Sequence, residues 1–155
     1  MTQPKKSDRI AAFVETLAVK ADSTTDPRYL GYFECFNRGD YYEAHDVLED
    51  LWLKTNGPDR EFYKALIQIA GAFVHLRKQH EHPDHPHHGR RLTPASRIFR
   101  SAIARLAPFA PHHLGVDVAS LLRLCTSTLH AIESGDFSEN PWSPVAMPQI
   151  PLTRV

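Results

Sequence analysis

An HxxxExxW pattern, formed by His45, Glu49 and Trp52, sets the strongest limit on how this chain folds. On an α-helix with about 100° per residue, Glu49, Trp52 and Tyr41 all lie within about 40° of His45. Aromatic residues on one side of a helix usually mark the side that faces the core. The pattern therefore predicts a helix that turns a histidine and a carboxylate inward, where each needs a polar partner, because an unpaired buried polar group costs about 1 to 3 kcal/mol.

This motif helix is predicted to span residues 40–55. Asp40, followed three residues later by Glu43, resembles a capping box at its start, and Asn56-Gly57 ends it. Charged residues fall on the side opposite His45, and we expect them to be ordinary solvent contacts; they are Glu43, Asp46, Asp50 and Lys54.

A second helix is predicted over residues 58–79, and it is apolar on nearly all sides. Gln68 and His75 are the only strongly polar side chains of its central run, and they lie within about 20° of each other on the helix. Small residues, including Gly71, flank them and allow another helix to approach closely. Because only a very short link joins the two helices, we expect them to pack antiparallel, with the Gln68/His75 face against the His45/Glu49 face.

These motifs resemble a known family. The run from Phe36 to His45, then Glu49 and Trp52, then the segment from Leu66 to His75, and finally Gly115-Val116-Asp117, is similar to the domain of unknown function 309 family, over about residues 26–122. The resemblance implies a small all-helical fold and brings no established activity. It also implies a short Gly-rich turn after the His75 helix, where this chain instead has a longer His/Pro segment at residues 80–88.

The helix-capping and helix-breaking residues along the rest of the chain predict an all-α fold, a compact bundle of about five or six helices in one domain over residues 1–155. Further helices are expected at residues 8–20, before a polar linker at 22–25, after the Asp26-Pro27 cap, after Thr93-Pro94, and after Asp117. No strand is predicted. The tail, residues 138–155, contains four prolines and is expected to be extended across the helices. Its anchoring side chains would be Trp142, Val145, Ile150 and Leu152.

Composition narrows the classes of function. Eighteen basic and eighteen acidic residues cancel, so charge gives no argument for binding nucleic acid or an anionic membrane. No apolar run reaches the roughly 20 residues that span a bilayer, and the N-terminal segment lacks the features of a signal peptide. We therefore expect a cytoplasmic protein with no nucleic-acid and no membrane partner. Cys35 and Cys125 lack metal-type spacing and are expected to be reduced, buried thiols.

The motif residues admit two chemical interpretations. His45 and Glu49 at i and i+4, with His75 from the neighbouring helix, could ligate a divalent metal such as zinc, iron or manganese, or one of the three could act as a general acid or base. Tyr41, Trp52 and Gln68 would then line a ligand site. In the alternative, the same residues form a buried hydrogen-bond network that only stabilises the fold.

Two classes of function follow from these interpretations. The first is a small helical interaction or scaffold protein, either a homodimer or bound to a protein partner, whose polar cluster is structural. The second is an enzyme or sensor with a site at His45, Glu49, Gln68 and His75. Solvent access to these residues distinguishes the classes, because chemistry needs an open site whereas a structural cluster is closed and fully paired.

Overall fold

The computed structural model describes residues 5–18 and 25–153, except for the side chains of residues 7 and 16–18. Residues 22–24 of the expected linker and the predicted end of the first helix at residue 20 lie outside these residues. Within the described ranges the chain forms six α-helices, one 3-10 turn and one two-stranded hairpin. In chain order they are α1 (Lys6–Ala18), α2 (Pro27–Asn37), α3 (Tyr41–Leu53), α4 (Asp59–Glu81), α5 (Leu92–Leu106), the 3-10 turn (Ala107–Phe109), β1 (His112–His113), β2 (Val116–Asp117) and α6 (Val118–Ser134).

Two helix starts have the predicted aspartate caps, whereas α5 begins at Leu92, just before the predicted Thr93-Pro94 start. Asp26 accepts a hydrogen bond from the backbone N–H of Arg28 at 2.8 Å, and Asp117 caps α6 in the same way through Ser120 at 2.9 Å. Asp40 occupies the corresponding position before α3, but its side chain makes no capping bond. The capping-box prediction is therefore wrong there, because the Asp40 carboxylate is paired with the Arg38 guanidinium at 3.3 Å instead.

The two motif helices are antiparallel neighbours, as predicted. Near the start of α3, the Tyr41 ring lies 5.4 Å from that of Phe73, late in α4. At the end of α3, the Trp52 ring lies beneath Lys64, one turn into α4. Since the beginning of one helix meets the far part of the other, they run in opposite directions, joined by the five residues 54–58.

The core is centred on α4 and is rich in aromatic rings. Phe73 makes edge-on contacts with Phe36 of α2 at 5.5 Å and with Phe99 of α5 at 5.3 Å between ring centroids. Each such pair contributes about 0.5 to 1.5 kcal/mol beyond the burial of its area. Cys35 and Cys125 are free and buried, as predicted, and burial raises their thiol pKa values to about 11 and about 12.

The hairpin before α6 corrects the expectation of no strand. β1 and β2 pair antiparallel, and Leu114 and Gly115 between them both adopt positive φ, 46° and 79°. Two successive residues with positive φ form the tight turn that joins the strands of a hairpin. Strands of two residues are too short to leave an alternating pattern in the sequence, which is why none was predicted.

The C-terminal tail crosses the bundle through buried anchors. Trp142 and Ile150 are buried, and Leu152 pairs with Val116 of β2. Asn37, at the end of α2, binds the tail in both directions: its side-chain oxygen accepts from the Ile150 N–H at 2.7 Å, and its side-chain nitrogen donates to the Ile150 carbonyl at 3.0 Å. Val145 was expected to be a further anchor, but it is 94% exposed because the chain turns outward at residues 144–146.

No helix among the described residues is both long and apolar enough to cross a membrane.

Candidate functional site

His45 of α3 packs against Gly71 of α4. A Cβ atom placed on Gly71 would lie 3.8 Å from His45 Cδ2, so the imidazole packs over the glycine, as the small residues of α4 predicted. His45 Nδ1 is 3.1 Å from an Asp46 carboxylate oxygen, and Nε2 is 3.9 Å from Glu49. The His45 and Glu49 side chains are 31% and 30% exposed, so solvent reaches both of them.

The carboxylates beside His45 are bound by α1. Lys6 Nζ lies 3.1 Å from Glu49 and 3.3 Å from Asp46. Burial acts to lower the pKa of Lys6, but hydrogen bonds and charges from Glu49 and Asp46 outweigh it and raise that pKa above its ordinary value. Asp46 was expected to be a plain solvent contact and is only 15% exposed. That expectation is wrong because α1 covers its side of α3.

Asp50 was also expected to be an ordinary solvent contact, and that expectation is wrong as well. Its carboxylate lies 2.8 Å from the Arg28 guanidinium of α2 and 3.6 Å from Lys54. A carboxylate held between two helices fixes their relative position, so Asp50 links α2 to α3 rather than facing open solvent.

Gln68 and His75 find their polar partners on the α5 side of α4. The Gln68 amide nitrogen donates to Ser101 Oγ at 3.0 Å, whereas its oxygen is buried and has no hydrogen-bond partner among the residues that the structure describes. His75 Nδ1 lies 3.0 Å from Arg91 Nη1. Burial, and the charges of Arg91 and Lys78, lower the pKa of His75 below its ordinary value.

The predicted single cluster of four polar residues is thus divided into two. His45 and Glu49 are bonded toward Asp46 and Lys6, while Gln68 and His75 are bonded toward α5. For Glu49 and His75 the physical reason is that Lys6 and Arg91 are cations, which bind these groups more strongly than a neutral side chain would. Gln68 instead pairs with the neutral hydroxyl of Ser101.

The predicted metal set of His45, Glu49 and His75 is not assembled. In residues 5–18 and 25–153, no group of three or more His, Cys, Asp or Glu side chains is arranged to hold a metal ion. The Arg91 guanidinium is hydrogen-bonded to His75 Nδ1, and Lys6 Nζ donates a hydrogen bond to the Glu49 carboxylate. The residues present therefore do not fit the proposed zinc, iron or manganese site.

The two aromatic candidates have different environments. Tyr41 is buried, and its hydroxyl accepts a hydrogen bond from Trp142 Nε1 at 2.9 Å, so it belongs to the core. Trp52 is only partly buried, and its ring lies 4.1 Å from the Arg60 guanidinium and 4.5 Å from Lys64 Nζ. Cations over an indole face stabilise it by about 0.5 to 2 kcal/mol each. Trp52 thus joins α3 to the start of α4 at the surface.

The His/Pro segment is partly helical, since α4 continues through Glu81. Beyond that point, His85 Nδ1 accepts hydrogen bonds from the backbone N–H groups of His87 and His88, both at 3.0 Å. The His85 and His88 rings lie 4.4 Å apart. This is a structured turn rather than an irregular insertion.

Comparison with known proteins adds one finding. Residues 29–83 match the family model described as domain of unknown function 309. This segment belongs to that family. The predicted resemblance is therefore confirmed over α2, α3 and α4, a shorter span than the expected residues 26–122. No curated protein and no solved structure matches the chain.

Sequence reasoning missed Lys6 and Arg91, the two cations that divide the domain of unknown function 309 motif residues into separate clusters. Both lie outside the matched segment. Each meets its partners only after distant parts of the chain pack together, so no local pattern identifies them.

Proposed function

We propose that this chain is a cytoplasmic helical interaction module that binds a protein partner through the outer face of α3, which consists of Tyr42, Asp46, Glu49 and Leu53. The observation that carries this proposal is the exposure of Tyr42 and Leu53, 59% and 64%, at the two ends of that face. Eleven residues apart on a helix, they point within about 20° of each other. Apolar surface rimmed by polar groups is the kind that binds protein partners, and here Tyr42 and Leu53 flank the carboxylates of Asp46 and Glu49.

Helix α1 covers the middle of this face but is weakly attached. None of its side chains that the structure describes is buried. Ile10, Phe13 and Val14 are only partly buried, and Lys6 supplies the ion pairs. Exposed ion pairs contribute about 0 to 1 kcal/mol each, so a partner can displace α1 at modest cost.

The shape and charge of the covered face indicate the partner's chemistry. A cavity of about 280 Å³ remains between α1 and α3, and the apolar part of its wall that belongs to α3, and would stay when α1 is displaced, is Tyr42 and Val47. The carboxylates of Asp46 and Glu49 lie on the same face and need a cation from the partner in place of Lys6. An amphipathic helix that carries a cation supplies both features, as α1 does through Lys6, and we propose such a helix as the partner element.

The test uses a labelled synthetic peptide of residues 5–18 as the probe. The full-length Lys6→Ala chain, whose own α1 is loosened, should bind it measurably tighter than wild type does in a fluorescence anisotropy titration. A tethered segment competes at an effective concentration of about millimolar, so wild type should bind the free peptide poorly. Lys5→Ala is the matched control, because Lys5 makes no ion pair with a described residue.

Two results would contradict the proposal. One is no binding of the peptide by Lys6→Ala protein at millimolar concentration. The other is equal binding of a peptide in which Lys6 is replaced by glutamate, which would show that the acidic face is not recognised. Light scattering on each chain, without peptide, determines whether a second copy occupies the face instead.

A second candidate function is acid–base chemistry at His45. It is favoured by the 3.1 Å contact between His45 Nδ1 and Asp46, because a carboxylate that orients one imidazole nitrogen leaves the other free to exchange a proton. Glu49→Gln distinguishes this site from a structural role. A structural Glu49 predicts a lower free energy of unfolding for the variant, whereas a Glu49 that acts only in proton exchange with His45 predicts a variant as stable as wild type.

A further inference from the structure

Arg91, immediately before α5, joins α4 to the part of the His/Pro segment that follows the helix, residues 82–88, called the His/Pro turn below. Its guanidinium reaches His75 Nδ1 through Nη1 at 3.0 Å and His88 Nδ1 through Nη2 at 2.5 Å. Its backbone N–H donates to Gln79 Oε1 at 2.7 Å. Three contacts from one residue therefore connect the middle and end of α4, the turn, and the start of α5.

These contacts fix the protonation state of both histidines. A guanidinium has five donors and no acceptor, so each Nδ1 that it contacts must be unprotonated. His75 and His88 are therefore neutral here, with their protons on Nε2. His85 is constrained in the same way, because its Nδ1 accepts from two backbone N–H groups.

The charges near the two imidazoles all oppose a further proton. Arg91 and Lys78 act on both rings, and the additional titratable neighbours of His88 are His85 and His82. Partial desolvation, followed by these groups, lowers the pKa of each of the two histidines below its ordinary value. Of the acidic residues in this part of the chain, Glu81 is paired with Arg77 at 3.5 Å, and Asp84 lies within the turn, four residues before His88.

We propose that Arg91, His75 and His88 form a pH-responsive clasp, which holds the His/Pro turn against α4 near neutral pH and releases it on acidification. A proton on either Nδ1 removes the acceptor and places a second cation against the guanidinium. The clasp is independent of the α3 face proposed above, and it gives the histidine-rich turn a role as a proton sensor.

The sign of the effect follows from the direction of the pKa shifts. Both histidines bind protons less readily in the folded, clasped state than when exposed. The clasp is therefore complete above the ordinary histidine pKa of about 6.5, and it weakens as pH falls through the lower, folded values. Between the ordinary and the lowered pKa, each pH unit multiplies the ratio of released to clasped protein by up to about ten for each histidine that titrates, and below the lowered pKa the ratio stops rising.

Nitrogen-detected NMR of the full-length protein tests the protonation state first. At pH 8, His75 and His88 should both show the Nε2–H tautomer. Hydrogen exchange of the Arg91 amide then reports on the clasp directly, because that N–H is bonded to Gln79. After correction for intrinsic rates, it should exchange at least about tenfold faster at pH 5 than at pH 7.5.

His88→Asn is the decisive variant. The asparagine oxygen can accept from Arg91 in place of Nδ1 but does not titrate, so the Arg91 amide should stay protected with a clearly reduced pH response. His87→Asn is the matched control, since the His87 side chain does not contact Arg91, and it should respond as wild type does. An Nδ1–H tautomer on either clasp histidine, an unchanged pH response in His88→Asn, or equal wild-type exchange at both pH values would overturn the proposal.

Discussion

Replacing Gly71 with alanine should raise the free energy of unfolding by about 1 kcal/mol. Glycine inside a helix costs about 0.8 to 1 kcal/mol relative to alanine, and Gly71 is not among the glycines with positive φ. The added methyl would lie 3.8 Å from His45 Cδ2, an ordinary contact, with no other described atom as close. Partial burial of that methyl adds a few tenths of a kcal/mol.

Urea denaturation of wild type and Gly71→Ala, fitted with a common m-value, measures the difference, and the melting temperature should rise by about 3 °C. Gly39→Ala is the matched control with the opposite sign. Gly39 has φ of 86°, and its added Cβ would lie 2.7 Å from Met147 Sδ, so that variant should lose more than about 1 kcal/mol. A destabilised Gly71→Ala variant would contradict this prediction, because it would show that the packing of His45 on α4 requires the absence of a side chain at position 71.

Three further substitutions probe the contacts that the sequence did not reveal. Trp52→Ala should cost about 2 kcal/mol in chemical denaturation rather than the 3 to 5 of an enclosed ring, because Trp52 is only partly buried; a loss above 4 would show that it is core. Asn37→Ala should cost about 2 kcal/mol and speed exchange of the Ile150 amide, and unchanged exchange would contradict the two-way bond. Tyr41→Phe leaves the buried Trp142 N–H without an acceptor and should cost about 1 to 2 kcal/mol, whereas a neutral result would mean that water replaces the hydroxyl.

The sequence predicts most of the fold because helix boundaries depend on nearby residues. Asp26-Pro27 and Asp117 act within one turn, and the short link between the motif helices fixes their antiparallel packing. The capping box at Asp40 failed for a related reason: Arg38, two residues earlier, takes the same carboxylate.

The candidate site was predicted less well because helical periodicity places a side chain on a face but does not identify its partner. His45 does lie against Gly71, which periodicity can anticipate. Lys6 and Arg91, by contrast, are 39 residues before and 46 residues after His45. Their charges, rather than the packing of α3 on α4, determine which polar groups pair.

The two-way bond between Asn37 and Ile150 bears on where this protein can be cut. Asn37 lies inside the family segment, residues 29–83, whereas Ile150 and Trp142 are contributed by a part of the chain that the family match does not cover. A recombinant fragment ending at residue 83 would lack Trp142 and Ile150. It would therefore expose the aromatic core around Tyr41 and leave the side-chain amide of Asn37 without these two hydrogen bonds. The span that sequence similarity marks is thus shorter than the span that supplies the contacts of Asn37 and Tyr41, and we expect a fragment limited to the marked span to be less stable than the full chain.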